Sequence, residues 1–218
     1  MSMSIREKMI DYIKSNRVST TEVADCLGKK GAISGVLPLV SGLHKVGKIK
    51  YVYGFLESNW SIHEQVRDVE KGDIVFIDGI EVRDRALIGE LVAKFVLLYK
   101  EAEAIIINGL VRDANGIIRM NYAVWSKGVS PVGCFNTKQE ETPVIAEYVK
   151  QKKKELDGAI AVCDDTGVVL IPKEHITEEM MEKLEQMEEQ EDEWFYCIDR
   201  RKWDTYDTVC LKRYLNED

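Results

Sequence analysis

The chain has 218 residues, of which 45% are hydrophobic and 31% are charged, as is typical of one soluble domain with a sizeable core. It contains no apolar run near the roughly 20 residues that a membrane span needs, and the first 15 residues lack the apolar segment of a secretory signal. The net charge is −8, but residues 174–193 hold ten acids against Lys183 alone, which leaves +1 elsewhere. We therefore predict a cytoplasmic protein that neither enters a membrane nor presents the basic surface that nucleic acid requires.

Two minor features of the composition have simple interpretations. The five cysteines are widely spaced and include no CxxC pair, which favours reduced, buried or partly buried thiols over a disulfide framework or a zinc site. The one basic cluster, KVGKIK at 45–50, is interpreted as a solvated strand edge.

The N-terminal third predicts two capped helices and a strand. Ser4 to Glu7 and Ser19 to Glu22 have capping-box spacing, so residues 1–17 are assigned to an N-terminal helix, and Gly28 is placed to end the second helix in the left-handed conformation. The segment from Gly28 to Gly42 is glycine-rich and irregular, and 50–57 is β-branched and aromatic enough for a strand. A short helix is predicted in WSIHEQVRDV at 60–69.

The central segment has the most ordered pattern. DIVFID at 73–78 and AIIIN at 104–108 predict buried strands, and the stretch between them, 86–100, contains a helix. A strand, a helix and a strand in this order form a β-α-β unit, in which parallel pairing is the default.

The C-terminal half continues the α/β pattern. PVGCF at 131–135 is interpreted as a short strand, residues 142–156 as a helix or extended connection, and 158–171 as a hairpin around Asp164 and Asp165. Residues 177–218 are assigned to an acidic helix followed, from Trp194, by an aromatic tail that includes Trp203 and Tyr206. The whole chain, 1–218, is predicted to be one domain.

The candidate site lies at the carboxyl ends of the parallel strands, where loops and helix N-termini bind ligands in α/β folds. Gly89 lets backbone amides approach an anion, Arg112 can hold an oxygen by charge-assisted hydrogen bonds, and Asp113 can hold a hard cation. This set suits a small α-keto acid that chelates Mg²⁺. The alternative is that Arg112 and Asp113 form a plain surface ion pair.

The ordered segments GDIVFIDG, ALIGELVA, NGLVRD, PVGCF and DGAIAVCDDTGVVLIP resemble the RraA-like family. That family includes 4-hydroxy-4-methyl-2-oxoglutarate aldolases and the RraA inhibitors of ribonuclease E. The resemblance covers roughly residues 18–190. It implies a three-layer α/β domain of the swivelling β/β/α, phosphohistidine-domain type, assembled as a homotrimer or a dimer of trimers with active sites between subunits.

For the aldolase members, the resemblance also implies a class II lyase that cleaves 4-hydroxy-2-oxo acids to pyruvate through an enolate. The pyruvyl part would bind to Arg112 and to the backbone amides of the loop formed by Gly89, Glu90, Leu91 and Val92. Asp113 would help to hold Mg²⁺ or Mn²⁺, and the metal with Arg112 would stabilise the developing oxyanion. Oxaloacetate decarboxylation passes through the same enolate and is a second expected activity.

Two departures from the family pattern bear on that role. Active members show Asp, twenty intervening residues and then Arg-Asp, whereas here the first acid is Glu90 and twenty-one residues separate it from Arg112. We place the extra residue in the turn at Lys100 to Glu103, where an insertion costs little. Glu90 can still hold a metal-bound water, although a shift of about 1 Å can lower the rate roughly 100-fold.

Other polar residues are weaker candidates. Glu188 and Glu189 are considered as the acid that aldolase members draw from a neighbouring subunit, against the simpler interpretation of a solvated helix face. Asp78 ends a strand and is considered as support for the site. Asp164 and Asp165 are expected to serve the hairpin turn, and the histidines to have packing or surface roles. The histidines are His44, His63 and His175.

Two further functions remain open beside the metal-dependent lyase. One is a non-catalytic regulator of the RraA type, which would bind an RNA-degradation protein through its acidic helix. The other is an enzyme acting on a related acid from sugar-acid metabolism, with the aromatic tail setting specificity.

Overall fold

A computed structural model describes residues 3–216 as a mixed α/β domain around one eight-stranded sheet. The strands are β1 Leu37–Pro38, β2 Lys45–Phe55, β3 Asp73–Ile80, β4 Ala86–Ile88, β5 Ala104–Val111, β6 Val124–Val129, β7 Ile160–Cys163 and β8 Val168–Ile171. The helices are α1 Ile5–Asn16, α2 Thr20–Cys26, α3 Trp60–Gln65, α4 Glu90–Lys94, α5 Ala114–Arg119, α6 Pro143–Leu156 and α7 Glu178–Asp199. A π-helical turn, Phe95–Tyr99, continues α4, and another, Tyr206–Cys210, follows α7.

The sheet runs in the order β1-β6-β5-β3-β2-β7-β8, and β4 pairs with β5 beside this path. Strands β2, β3, β5 and β6 are parallel to one another, which confirms the predicted β-α-β unit, with Ile74 of β3 opposite Ala104 of β5. The pairs β1-β6 and β2-β7 are antiparallel. Both faces of β3 and β5 pack into apolar cores. Strands buried on both faces consist of nearly continuous Val and Ile, which is why their sequences show no alternation.

The sheet curls until its two edges nearly meet. Ile33 N donates to Val168 O of β8 at 2.9 Å, and Ala32 forms a bridge with Val169. A few residues later the same segment becomes β1, which pairs with β6 at the opposite edge. Residues 31–38 therefore connect the two edges, and the two β layers expected from sequence are parts of one nearly closed sheet.

Most local predictions for the N-terminal part are confirmed. The helix assigned to 1–17 spans Ile5–Asn16, and residues 1 and 2 of that assignment lie outside the described residues. The segment 28–42, predicted to be irregular, contains the short strand β1. Both capping boxes are present, and Gly28 is left-handed at φ 69°. The predicted strand begins earlier, at Lys45, and β2 lies between β3 and β7, so the interpretation of KVGKIK as a solvated strand edge is wrong. Lys45 pairs with Glu103, and Lys48 with Glu70 and Asp73, which lets these lysines occupy an interior strand.

In the C-terminal half, the structure corrects one predicted strand and one helix boundary. It also decides the conformation of one segment that the sequence left open. PVGCF is not a strand, because only isolated bridges join Gly133 to Ala86 and Phe135 to Ser58. The segment left open as helix or extended is the helix α6, and α7 continues through the predicted tail boundary at Trp194 to Asp199. The hairpin is confirmed as β7 and β8.

Four of the five cysteines are buried or partly buried, as the sequence predicts. Cys163 and Cys197 are buried and Cys26 and Cys134 are partly buried, as expected, whereas Cys210 is exposed. No helix within residues 3–216 has the length and apolar character to cross a membrane.

Candidate active site

Strand β4 brings Gly89 beside Arg112. Ala86 and Ile88 of β4 lie opposite Leu110 and Val111 at the carboxyl end of β5. One residue further, Arg112 N donates a hydrogen bond of 3.0 Å to Ile88 O. The chain then leaves β4 into α4 and β5 into α5, so the first residues of both helices meet at this end of the sheet.

Asp113 is held in an uncommon backbone conformation at φ 58° and ψ 33°. This left-handed conformation costs an L-residue roughly 1–2 kcal/mol, although Asp adopts it more readily than most residues. Asp113 Oδ2 accepts a 3.2 Å hydrogen bond from Glu90 N and lies 3.7 Å from Arg112 Nε. The carboxylate therefore connects the start of α4 to the arginine.

Glycines make room for the Arg112 side chain on two sides. A Cβ added to Gly89 would overlap Asp113 Oδ2 and lie 2.9 Å from Arg112 Cγ, and one added to Gly133 would lie 2.7 Å from Arg112 Nη1. Contacts this close are not tolerated, so a side chain at either glycine would displace the guanidinium. Gly133 was not predicted as a site residue, although its motif PVGCF had been recognised.

The loop containing Gly133 is anchored by Arg85. Arg85 Nη1 donates to Gly133 O at 3.1 Å, its Nε donates to Glu57 Oε2 at 2.5 Å, and its guanidinium lies 4.2 Å from the centre of the Phe135 ring. Burial raises the pKa of the neighbouring Cys134 thiol to about 11, which keeps it neutral at ordinary pH. Arg85 thus fixes the position of the glycine along which Arg112 lies.

The Glu90 carboxylate lies against Gly116, whereas the Asp113 carboxylate lies against Gly89. A Cβ added to Gly116 in α5 would overlap the Glu90 carboxylate, so this glycine accommodates the longer acid. Sequence reasoning gave no role to Gly116, because the two residues belong to different helices and meet only in the folded chain.

The charged groups of the site are open to solvent. The side chains of Arg112 and Asp113 are 50% and 49% exposed, and an ion pair at this exposure contributes less than about 1 kcal/mol to stability. The amides of Leu91 and Val92 lie in the first turn of α4 and have no carbonyl one turn before them within the helix. The site thus offers a guanidinium, a carboxylate and backbone amides to a ligand.

Asp78 and Glu188 lie elsewhere. Asp78 belongs to β3 but shares its face with Phe76, opposite the face that packs against β4, so support for the Arg112 site is not its role. The Glu188 carboxylate accepts hydrogen bonds from Tyr12 and from Asn16 of the same chain. Glu189 is exposed on α7.

The remaining candidates have structural partners. Asp164 caps α2 by accepting from Thr20 N at 2.8 Å, and it also accepts from Thr166 N in the hairpin turn. Asp165 accepts from Gly42 N, His44 bonds to Val18 O at 2.9 Å, and His63 lines a cleft on the outer side of α4. The hairpin role predicted for Asp164 is therefore joined by a tertiary one.

Comparison with known proteins identifies the family. The model of the RraA-like family, described as Aldolase/RraA, matches residues 20–170. The chain belongs to the RraA-like family. A Shewanella oneidensis protein provisionally named 4-hydroxy-4-methyl-2-oxoglutarate aldolase is 27% identical over 114 residues, covering 52% of this chain and 68% of that protein.

Solved structures, two of them of RraA proteins, confirm the fold. An uncharacterised Pseudomonas syringae protein superposes with a TM-score of 0.72 at 19% identity, covering 95% of this chain and 98% of that one. The RNA-processing inhibitor RraA from Thermus thermophilus superposes at 0.54 with 18% identity, covering 70% and 92%. A Streptomyces coelicolor protein, described as an unusual member of the RNase ES inhibitor RraA family, gives 0.67 at 19% identity, covering 85% and 96%.

The structure offers a different place for the residue that departs from the RraA-like spacing. The π-helical turn Phe95–Tyr99 lies between Glu90 and Arg112, and a π turn closes its hydrogen bonds over one more residue than an α turn. The additional residue can therefore be taken up within the helix, before the turn at Lys100 to Glu103 where we expected it. In this chain Asp113 contacts both Gly89 and the Glu90 amide.

The polar groups around Arg112 fit one of the ways in which proteins hold Mg²⁺. Within residues 3–216 no group of three or more His, Cys, Asp and Glu side chains could enclose a metal ion. Mg²⁺, however, is commonly held by one or two carboxylates together with water and substrate oxygens. Asp113 Oδ1 accepts no hydrogen bond from the described residues, and the carboxylate is half exposed, so Asp113 fits such a site as its protein ligand.

Proposed function

We propose that the protein is a divalent-metal-dependent lyase that cleaves 4-hydroxy-2-oxo acids and releases pyruvate. The observation that carries the proposal is the packing of Arg112 and Asp113 against Gly89, where no side chain fits. It is supported by the family match and by the similarity to the Shewanella protein. A cytoplasmic location and oxaloacetate decarboxylation belong to the same proposal.

Each residue of the candidate site has its own role in the proposed cleavage reaction. Arg112 binds the oxygens of the 2-oxo acid by charge-assisted hydrogen bonds, and the amides of Leu91 and Val92 bind its carboxylate. When the 4-hydroxyl loses its proton to the water held at Glu90, the bond between carbons 3 and 4 breaks and a carbonyl compound leaves. The Arg112 guanidinium stabilises the negative charge that this places on the keto oxygen of the pyruvate enolate. Asp113 would hold Mg²⁺ or Mn²⁺, which supplies Lewis acidity. Glu90 lies at the edge of this set and holds water rather than the acid.

The test is pyruvate release from 4-hydroxy-4-methyl-2-oxoglutarate and from oxaloacetate, with Mg²⁺, with Mn²⁺ and with EDTA. We expect metal-dependent turnover in the wild type and its loss in Asp113→Ala. Asp11→Asn, a change at an exposed acid of α1, is the matched control and should retain full turnover. Equal turnover in Asp113→Ala, or no turnover of either acid by the wild type, would refute the assignment.

We further propose that the active form is a homotrimer or a dimer of trimers whose sites lie between subunits. The support is an exposed apolar surface on the helix that begins at the site, with Leu91 79% and Tyr99 71% exposed and Phe95 beside them. These residues line a cleft of about 440 Å³ that also contains Arg67 and His63. Exposed apolar surface of this kind commonly marks a protein interface.

Light scattering after gel filtration tests the assembly. We expect a mass of three or six times the 24.9 kDa of one chain, and Tyr99→Glu should reduce it because a buried charge opposes association. Gln151→Glu, at an exposed position of α6 outside this cleft, controls for the added negative charge alone. A wild-type monomer at micromolar concentration would refute this proposal.

The second candidate function is an RraA-type regulator of RNA-degradation proteins. The observation that favours it is α7, whose acids Glu182, Glu185 and Glu189 are exposed to solvent. A helix of this charge complements a basic partner segment. Charge reversal across 185–193 should abolish such binding and spare lyase turnover, whereas Asp113→Ala should do the opposite.

A further inference from the structure

A second cleft, of about 250 Å³, opens where the sheet nearly closes. Its apolar wall includes Phe76, Leu156 and Leu170, and we call it the barrel-mouth cleft, defined by its polar lining residues. These are Ser34, Asp78, Asn108, Lys127, Tyr148, Lys152 and Glu155. The mouths of β-barrels are frequent sites of small-molecule binding, and pockets for drug-sized ligands measure roughly 300–1,000 Å³. The size here suits a smaller metabolite.

Asp78 organises the interior of the cleft. Its side chain is 2% exposed, and it accepts hydrogen bonds from Asn108 Nδ2 at 2.7 Å, Tyr148 Oη at 3.0 Å and Tyr51 Oη at 3.1 Å. All three donors are neutral, and no cation within residues 3–216 pairs with this carboxylate. A buried carboxylate is tolerated only when it is hydrogen-bonded in this way.

The hydrogen bonds to Asp78 leave acceptors for a ligand. Asn108 donates one amide N–H to Asp78, and its side-chain carbonyl oxygen can still accept a hydrogen bond from a ligand. Tyr148 donates its only proton to Asp78, so its oxygen can accept from another hydroxyl. Burial, and the adjacent Asp78 charge, raise the pKa of Tyr148 to about 12, which keeps the phenol protonated. The interior therefore recognises hydroxyl donors.

The rim of the cleft supplies one available positive charge. Lys152 lies 2.8 Å from Glu155, which offsets its charge. Lys127 forms no ion pair with any residue in the described part of the chain. Because Lys152 and Glu155 offset each other, the cleft holds one free ammonium, Lys127, and one further acid, Asp78. This balance favours a monoanion over a dianion, because a second negative charge would be repelled.

We propose that the barrel-mouth cleft binds a polyhydroxylated monocarboxylate, an aldonate-type sugar acid, with its carboxylate on Lys127 and its hydroxyls on Asn108 and Tyr148. The C–H face of the carbon chain lies on the apolar wall that contains Phe76. This site is on the opposite face of the sheet from Arg112 and does not depend on the proposed lyase activity.

Isothermal titration of the full-length protein with gluconate tests the proposal. We expect one site per chain in the wild type, binding at least tenfold weaker in Lys127→Met, and several-fold weaker in Tyr148→Phe. Lys150→Met, a change at a 79% exposed lysine of the same helix as Tyr148, should leave affinity unchanged, as should Arg112→Met. Glucose, which lacks the carboxylate, should bind at least tenfold more weakly than gluconate.

Several results would overturn the assignment. These are no gluconate binding by the wild type at millimolar concentration, equal binding by Lys127→Met, or binding that is lost in Arg112→Met. Displacement of gluconate by equimolar phosphate would show a general anion site instead. Circular dichroism confirms that each variant is folded, and Lys127→Gln provides a second variant should Lys127→Met be insoluble.

Discussion

The Arg112 site and the barrel-mouth cleft are built from the same strand and use their charges differently. Asn108 of β5 faces the cleft, while the chain a few residues later presents Arg112 at the other site, after a register irregularity between Ile107 and Leu110. The Asp113 carboxylate is half exposed and accepts one amide hydrogen bond, whereas Asp78 is 2% exposed and accepts three hydrogen bonds.

This contrast shows that an acid at the end of a buried strand is not by itself evidence of chemistry. Asp113 contributes little to stability because water already solvates it, so its charge is available to a metal or substrate. Asp78 has exchanged water for three neutral donors and stabilises the packing of α6 through Tyr148. We therefore expect Asp113 to be the reactive acid, and we expect substitution of Asp78 to lower the stability of the fold.

The largest expected effect is that of Gly89→Ala on turnover. The new methyl group would overlap Asp113 Oδ2 and crowd Arg112, so we expect pyruvate release to fall at least ~100-fold, as small displacements of catalytic groups can do. Gly116→Ala, which meets only the far end of the Glu90 side chain, should lower turnover less. Steady-state kinetics of both variants make the comparison. Wild-type turnover in Gly89→Ala would contradict the proposed geometry.

Asp78→Ala should have the largest effect on stability. It leaves three donors without an acceptor, so we expect the free energy of unfolding to fall by about 3 kcal/mol. Asp113→Ala should change it by less than about 1 kcal/mol. Urea denaturation measures both. Equal losses in the two variants would remove the distinction between the two acids.

Tyr148 gives a pH-dependent test of the same contrast. Its pKa is raised from 10 to about 12 in the folded state, so its protonated form is favoured by folding. The stabilisation is fully present below pH 10 and is lost as pH rises through about 12. The difference in stability between the wild type and Tyr148→Phe should therefore shrink over this window. Tyrosinate absorbance should show one fewer late-titrating phenol in the variant.

Glu188→Gln should have a small effect on stability and no effect on turnover. Because this carboxylate is bonded to Tyr12 and Asn16 of its own chain, its loss should cost about 1 kcal/mol of stability. Turnover should stay at the wild-type level. A large loss of turnover with unchanged stability would instead assign Glu188 to a neighbouring subunit's site.

Local sequence signals predicted much of the fold and part of the site. The capping boxes at Ser4 and Ser19 depend on residues three apart, and both formed. The apolar runs of β3 and β5 indicated buried parallel strands, and strand ends indicated Gly89, Arg112 and Asp113 as neighbours. Their contacts in the structure agree with that placement, and their roles remain predictions.

What the sequence did not predict depends on contacts between distant segments. A strand that is apolar on both faces gives no sign of which face holds the site, so Asp78 was placed near Arg112. The lysines of β2 suggested an exposed edge, because their partners, Glu70 and Glu103, come from other parts of the chain. Likewise, the value of Gly116 and Gly133 lies in side chains that approach only after folding.

Residues 31–38, which join the two edges of the sheet, also keep the edge of β8 from pairing with strands of other copies of the chain. An open edge strand presents unpaired amides and carbonyls that recruit further strands and promote aggregation, and here residues 31–33 cover β8. The cover is close, since a Cβ on Gly31 would lie 2.7 Å from Leu170 O. Deletion of residues 31–33 would therefore be expected to expose the edge of β8 and to let copies of the chain associate through their backbones.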